Sequence, residues 1–140
     1  MDPNIILQVG VKVLLKNIDG KYLLIRRNPE KYPEVGAVWD IVGGRINPGA
    51  SLLENLKREI KEETNLDLVK PVKLIGAQDI LKVPGRHVIR LTYTGEIVGE
   101  PKIDDESLEF SWFTLDEIIN IPEGSLDLFF KQLLIQGLIS

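Results

Sequence analysis

Three glutamates dominate a search of this chain for chemistry. Glu59, Glu62 and Glu63 stand at i, i+3 and i+4 in the run LLENLKREIKEET, so on a helix they share one face. Like charges one turn apart cost roughly 0.2–0.5 kcal/mol, and Lys57 and Lys61 fall on the far side of the helix, where they cannot neutralise them. A solvated acidic face is one explanation. A divalent cation is the better one, because the cluster borders an apolar stripe where a bare carboxylate is costly. Hard oxygen ligands of this kind suit Mg²⁺ or Mn²⁺, and Mg²⁺ takes a few carboxylates together with substrate phosphates. Glu59 and Glu63 are the first choices as ligands and Glu62 the third. Just upstream, Gly43 and Gly44 allow close backbone approach, so a carbonyl there can join the metal shell. Arg26, Arg27 and Arg45 are the candidates for phosphate contact, since guanidinium forks match phosphate oxygens.

These residues need a turn, a helix and a sheet to hold them. Ser51 is a good N-cap, and Glu54 three residues on completes a Ser-x-x-Glu capping box. Asn65 can take the left-handed conformation that closes a helix. Between them Leu52, Leu53, Leu56 and Ile60 form an apolar stripe about 100° wide. Before the helix, residues 5–15 read as a strand, 17–20 (Asn-Ile-Asp-Gly) as a hairpin turn, and 21–27 as the returning strand. Residues 28–36 form a polar loop with Pro29 and Pro33, and 38–42 a short buried strand that delivers Gly43 and Gly44. After the helix, residues 67–80 hold one or two strands, 83–86 a turn, and 87–97 a strand. An acidic loop over 99–107 carries Asp104, Asp105 and Glu106. A last strand covers 108–113, Thr114 and Glu117 cap a short helix, and 126–138 reads as an apolar C-terminal helix. Strands on both sides of a central helix, with helices at the end, give a mixed sheet between helices.

The run from Gly44 to Leu66 resembles the Nudix box, Gly-x5-Glu-x7-Arg-Glu-U-x-Glu-Glu-x-Gly-U, where U is apolar. Gly44 takes the first glycine, Arg58-Glu59 the Arg-Glu pair, Ile60 the apolar position, Glu62-Glu63 the paired glutamates and Leu66 the last apolar position. Ala50 stands where the first glutamate is expected and Asn65 where the second glycine is expected. The Trp39-Asp40-x-x-Gly43-Gly44 entry and the segment from Trp112 to Glu117 also look like the family. The resemblance implies an α/β/α sandwich with a mixed central sheet and a Mg²⁺- or Mn²⁺-dependent hydrolase. It makes Gly44, Glu59, Glu62 and Glu63 the expected metal set, and Glu59, Glu62 and Glu63 the expected catalytic residues. It gives Arg58 a structural role, orienting the box glutamates. Some members take the catalytic base from the box and others from a separate loop, so Glu59, Asp104, Asp105 and Glu106 are all candidates. In the family the glutamate missing at Ala50 supports the arginine and the metal site.

At 140 residues the chain reads as one domain over 1–140, with 44% hydrophobic and 27% charged residues, an ordinary globular balance. A net charge of −4 argues against non-specific nucleic-acid binding. Cysteine is absent and His87 is the lone histidine, which excludes thiolate chemistry and a zinc site of several histidines. No apolar run is long enough to span a membrane, and a cytoplasmic location is the default. Two functions remain: a pyrophosphohydrolase acting on a nucleoside diphosphate derivative, or a Nudix-fold module that binds a nucleotide without cleaving it. The retained glutamates favour the enzyme. Isomerases of this fold normally use a cysteine, which this chain lacks. The expected partner is a small nucleotide-type molecule, and the oligomeric state, monomer or homodimer, is left open.

Overall fold

A computed structural model describes residues 4–31 and 38–139. In chain order the elements are β1 (Ile6–Lys16), β2 (Tyr22–Arg27), β3 (Trp39–Asp40), β4 (Val42–Arg45), α1 (Leu52–Thr64), β5 (Lys73–Ile80), β6 (Arg86–Glu96), β7 (Ser107–Phe113), α2 (Leu115–Ile119) and α3 (Leu128–Ile135). The expected polar loop falls partly on residues 32–37, which lie outside the described residues.

The apolar run of β1 places it at the centre. It runs parallel to β6 from Ile6↔Arg86 to Lys16↔Glu96. Its other edge takes antiparallel β4 from Gly10↔Arg45 to Val13↔Val42, and β2 only at Lys16↔Tyr22. The path through the sheet is β3-β2-β1-β6-β5, with β4 on β1 and β7 on β2. Alternation along β1 and β2 then splits the core in two. Val11, Val13, Leu23 and Ile25 pack with Leu56 and Ile60 of α1. Leu14, Tyr22 and Leu24 pack with Ile118 of α2 and Phe130 and Leu133 of α3. The result is the expected α/β/α sandwich on a mixed sheet.

Local chemistry explains the turns and caps. Asn17 Oδ1 accepts the amides of Asp19 and Lys21 at 3.0 and 2.9 Å, and Gly20 supplies a φ of +76°. Ser51 accepts the Glu54 amide at 3.1 Å, and Asn65 closes α1 at φ 59°, in the left-handed region. Thr114 and Glu117 form a complete capping box.

Three elements differ from the sequence expectation. The expected strand over 38–42 is broken at Ile41. β1 and β2 diverge beyond their single pairing, so β3 pairs with β2 while β4 crosses to pair with β1. The apolar stripe of α1 is displaced: Leu52 and Leu53 are exposed, and the buried face is Asn55, Leu56, Ile60, Glu63 and Thr64, because the first turn stands clear of the sheet. The C-terminal helix is shorter than 126–138. Asp127 caps it by accepting the Phe130 amide at 2.9 Å, and Gly137 beyond it takes φ +72°. No described helix is long and apolar enough to cross a membrane.

Candidate active site

The site lies where β4 meets α1; the expected glycine turn is instead part of this strand, with Gly43 opposite Lys12 and Gly44 opposite Val11. Gly43 takes φ +148°, and a Cβ there would stand 2.0 Å from the Val11 carbonyl oxygen, so only glycine lets β4 lie this close to β1. Its amide donates to Glu63 Oε2 at 2.9 Å. Arg27, at the end of β2, donates from Nη1 to Glu63 Oε1 at 2.7 Å and from Nη2 to the Gly43 carbonyl at 3.3 Å. Both strands and the helix are therefore tied through one buried carboxylate.

Glu59 lies one helical turn earlier, against Gly44. A Cβ on Gly44 would fall 2.8 Å from both Glu59 carboxylate oxygens, so this glycine leaves the space the carboxylate fills. Arg58 donates from Nη1 to Glu59 Oε1 at 2.9 Å, and from Nη2 to Asn55 Oδ1 at 3.0 Å and the Arg45 carbonyl at 3.2 Å. Glu62 is the outlier of the three. Its side chain is exposed, and Arg58 Nη1 reaches it only at 3.4 Å.

Burial and mutual repulsion set the electrostatics. Burial pushes the Glu63 carboxyl up to about 7, against the pull of Arg27 and Lys12, and the charge on Glu59 adds to the rise. Burial also raises Glu59, opposed by Arg58 and reinforced by Glu62. Two carboxylates raised by burial on successive turns of one helix, beside a backbone cradle, suit a hard cation. Among the described residues no three acidic or imidazole side chains converge closely enough to hold an ion. Glu59, Glu63 and a carbonyl of the Gly43-Gly44 pair are the donors that fit, with Glu62 at the rim.

The three candidate phosphate arginines part company. Arg27 belongs to the site. Arg26 points to the α3 side of the sheet, where it pairs with Glu109 at 2.6 Å and lies over the Trp39 ring at 5.6 Å. Arg45 sends its side chain to Gln8 Oε1 at 2.6 Å, and its carbonyl serves Arg58. The acidic loop approaches Arg27. Asn28 donates its amide to the Glu106 carbonyl at 3.0 Å and its side chain to the Asp105 carbonyl at 3.1 Å. Asp104 is raised, by partial burial first and then by Glu106, with Arg27 opposing.

Sequence reasoning missed Asn55 and a second buried network. Lys12 Nζ donates to Asp40 Oδ2 at 3.0 Å and the Ile41 carbonyl at 3.2 Å. Arg90 links Asp40 at 3.4 Å to Asp127 at 2.9 Å. Burial opposes ionisation of Asp40, yet Lys12 and Arg90 together hold its carboxyl down at about 2. Burial lowers Lys12 in turn, with Asp40 opposing. The signal in the sequence was a lysine inside VGVKVLL and an aspartate inside VWDIV, charges where a buried strand admits none unpaired.

A sheet between two helical layers thus holds Glu59 and Glu63 of α1 against the glycine pair of β4. The family profile described as the NUDIX domain matches residues 6–132, and the chain belongs to the Nudix hydrolase family. It is 34% identical over 113 residues to the ADP-ribose pyrophosphatase of Methanocaldococcus jannaschii, covering 78% of this chain and 62% of that protein. It is 33% identical over 81 residues to the 8-oxo-dGDP phosphatase NUDT18 of Mus musculus, covering 57% of this chain and 25% of that protein. The chain thus spans less than two thirds of the length of both curated relatives. The crystal structure of a MutT protein from Methanosarcina mazei Go1 superposes with a TM-score of 0.83 at 27% identity, over 96% of this chain and 95% of that one.

Proposed function

We propose that this chain is a divalent-metal-dependent pyrophosphohydrolase that cleaves a diphosphate bond in a nucleoside diphosphate derivative. The observation that carries the reading is the placement of Glu59 and Glu63, both raised by burial, on successive turns of α1 against Gly43 and Gly44 of β4. A Mg²⁺ or Mn²⁺ ion held there neutralises diphosphate charge and activates water. The chain's own residues do the rest. Glu59 and Glu63 hold the ion from two successive turns of α1, with Glu62 contributing from the rim. Arg58 opposes the rise that burial imposes on the Glu59 carboxyl. Arg27, which donates to Glu63 and the Gly43 carbonyl beside the site, is the substrate-side cation, its guanidinium fork being shaped for a phosphate. Arg26 and Arg45 have weaker claims, since Glu109 and Gln8 hold them away from Glu63. Glu59 and Asp104 are the candidates for the base, because burial has raised both carboxyls toward neutral pH.

The test is phosphate and pyrophosphate release with Mg²⁺ or Mn²⁺ across a panel of nucleoside diphosphate derivatives. ADP-ribose and 8-oxo-dGDP belong in it, being the compounds named for two relatives. Turnover by the parent and its loss in Glu59→Gln support the reading. Nucleotide binding without turnover of any compound replaces it with the binding-module reading.

A further inference from the structure

Position 50 carries no carboxylate, yet Arg58 is not left loose. Asn55 is 1% exposed, on the buried face of α1. Its Oδ1 accepts the Asn47 amide at 2.7 Å and Arg58 Nη2 at 3.0 Å. Its Nδ2 donates to the Ala50 carbonyl at 3.2 Å and the Ser51 carbonyl at 2.8 Å. A primary amide has two acceptor lone pairs and two N–H groups, and all four are used. One side chain thus pins the loop between β4 and α1 to the helix and fixes one arm of the guanidinium. The other arm reaches Glu59 Oε1 at 2.9 Å.

We infer that Asn55 is a positioning residue that stands in for the missing acidic group at Ala50, holding Arg58 so that it presents Glu59 to the metal. The inference rests on the proposed metal-dependent reading of the Glu59/Glu63 site. A purely apolar residue at 55 removes the side-chain acceptor of the Asn47 amide and leaves Arg58 Nη2 only the Arg45 carbonyl at 3.2 Å, so the guanidinium is held less firmly. An amide differs from a carboxylate in one consequence. It orients Arg58 without neutralising it, so the full positive charge of Arg58 acts on Glu59. Support of this kind acts on metal affinity through the ligand's orientation.

The experiment measures Mn²⁺ binding to the full-length chain by electron paramagnetic resonance, with melting curves alongside, and needs no substrate. Asn55→Ala weakens Mn²⁺ binding by about tenfold, whereas Asn55→Asp, which keeps an acceptor for Arg58, stays within about twofold of the parent. Asn55→Asp loses the bonds to the Ala50 and Ser51 carbonyls, so its melting temperature falls even as its affinity holds. Asn55→Ala combined with Ala50→Glu regains the affinity, because a carboxylate on the neighbouring loop again engages Arg58. Parent-like Mn²⁺ binding by Asn55→Ala overturns the inference. So does a folded Asn55→Asp that binds as weakly as the alanine variant, since that pattern marks loop anchoring alone. If Asn55→Ala does not fold, the affinity of Asn55→Asp decides. Absence of Mn²⁺ binding by the parent overturns the metal reading with it, whereas loss of this inference alone leaves parent binding intact.

Discussion

Glu59 and Glu62 belong to the same sequence pattern, and the fold separates them. Glu59 is packed against Gly44 with its carboxyl raised by burial, while Glu62 stands in solvent. Glu59→Gln is therefore expected to lower kcat by at least about a hundredfold, the scale at which loss of a key electrostatic contact reads out. Glu62→Gln is expected to act mainly by raising half-saturating Mg²⁺. Initial rates against metal concentration distinguish the two, and equal losses would return Glu62 to equal standing. Asp40 carries a stability prediction. Its carboxyl sits near 2 in the fold against an ordinary 3.8. A depressed carboxyl contributes stability that is present above pH 4 and lost as pH falls toward 2. Asp40→Asn leaves Lys12 buried without a carboxylate while Arg90 keeps Asp127, so it is expected to cost about 3–5 kcal/mol, as breaking a buried ion pair usually does. It should also flatten the acid limb of the stability curve between pH 4 and 2. Denaturant titrations of parent and variant across that window measure both effects, and an unchanged acid limb would assign that limb to other carboxylates.

At the scale of elements, α1 was legible because its boundaries are local chemistry. Ser51 accepts the amide three residues on, and Asn65 turns left-handed, both within one turn of the helix they delimit. Asn65 adopts φ 59°, where a Cβ-bearing residue lacking a polar side chain pays roughly 1–2 kcal/mol. Asn65→Ala should lose about that much stability, and Asn65→Gly should lose little, as equilibrium unfolding will show. Equal destabilisation by both would mean that the carboxamide, rather than the backbone angle, matters at this position. What the sequence hid was set by partners far along the chain. The break at Ile41 follows from the divergence of β1 and β2, which no local pattern announces. Leu52 and Leu53 carry the helical period of a core stripe but are exposed, because periodicity describes the helix and not where the sheet ends beneath it. Arg26, Arg27 and Arg45 were indistinguishable as residues. Strand alternation sends Arg26 and Arg27 to opposite faces, and only Arg27 meets α1. Asn55 went unnoticed in the sequence, although its partners Asn47, Ala50 and Arg58 are all near it in the chain.

For the molecule as a whole, the site joins parts that otherwise share few bonds. Glu63 ties α1 to Gly43 of β4 and to the end of β2, and Arg58 ties α1 to the end of β4. Without an ion the arginines compensate the carboxylates, and burial leaves Glu63 near 7 and Glu59 raised. On the proposed reading a divalent ion would bind only the folded arrangement of these groups and stabilise the fold by mass action, by about 2.7 kcal/mol at a hundred times its Kd. The parent is therefore expected to melt several degrees higher in saturating Mg²⁺ or Mn²⁺ than in chelator. Two variants dissect the effect. Glu59→Gln should melt close to the parent in chelator, because the amide relieves a carboxylate that burial disfavours and Arg58 keeps Asn55 and the Arg45 carbonyl, yet gain little from metal. Glu63→Gln should start lower, because Arg27 loses a buried counter-ion and one carboxamide oxygen cannot serve both Arg27 and the Gly43 amide. It too should gain little. Calorimetric scans of the three proteins with chelator and with millimolar metal give six midpoints. A metal-induced rise in Glu59→Gln as large as in the parent would place the ion elsewhere and remove the physical basis for assigning catalysis to this pair.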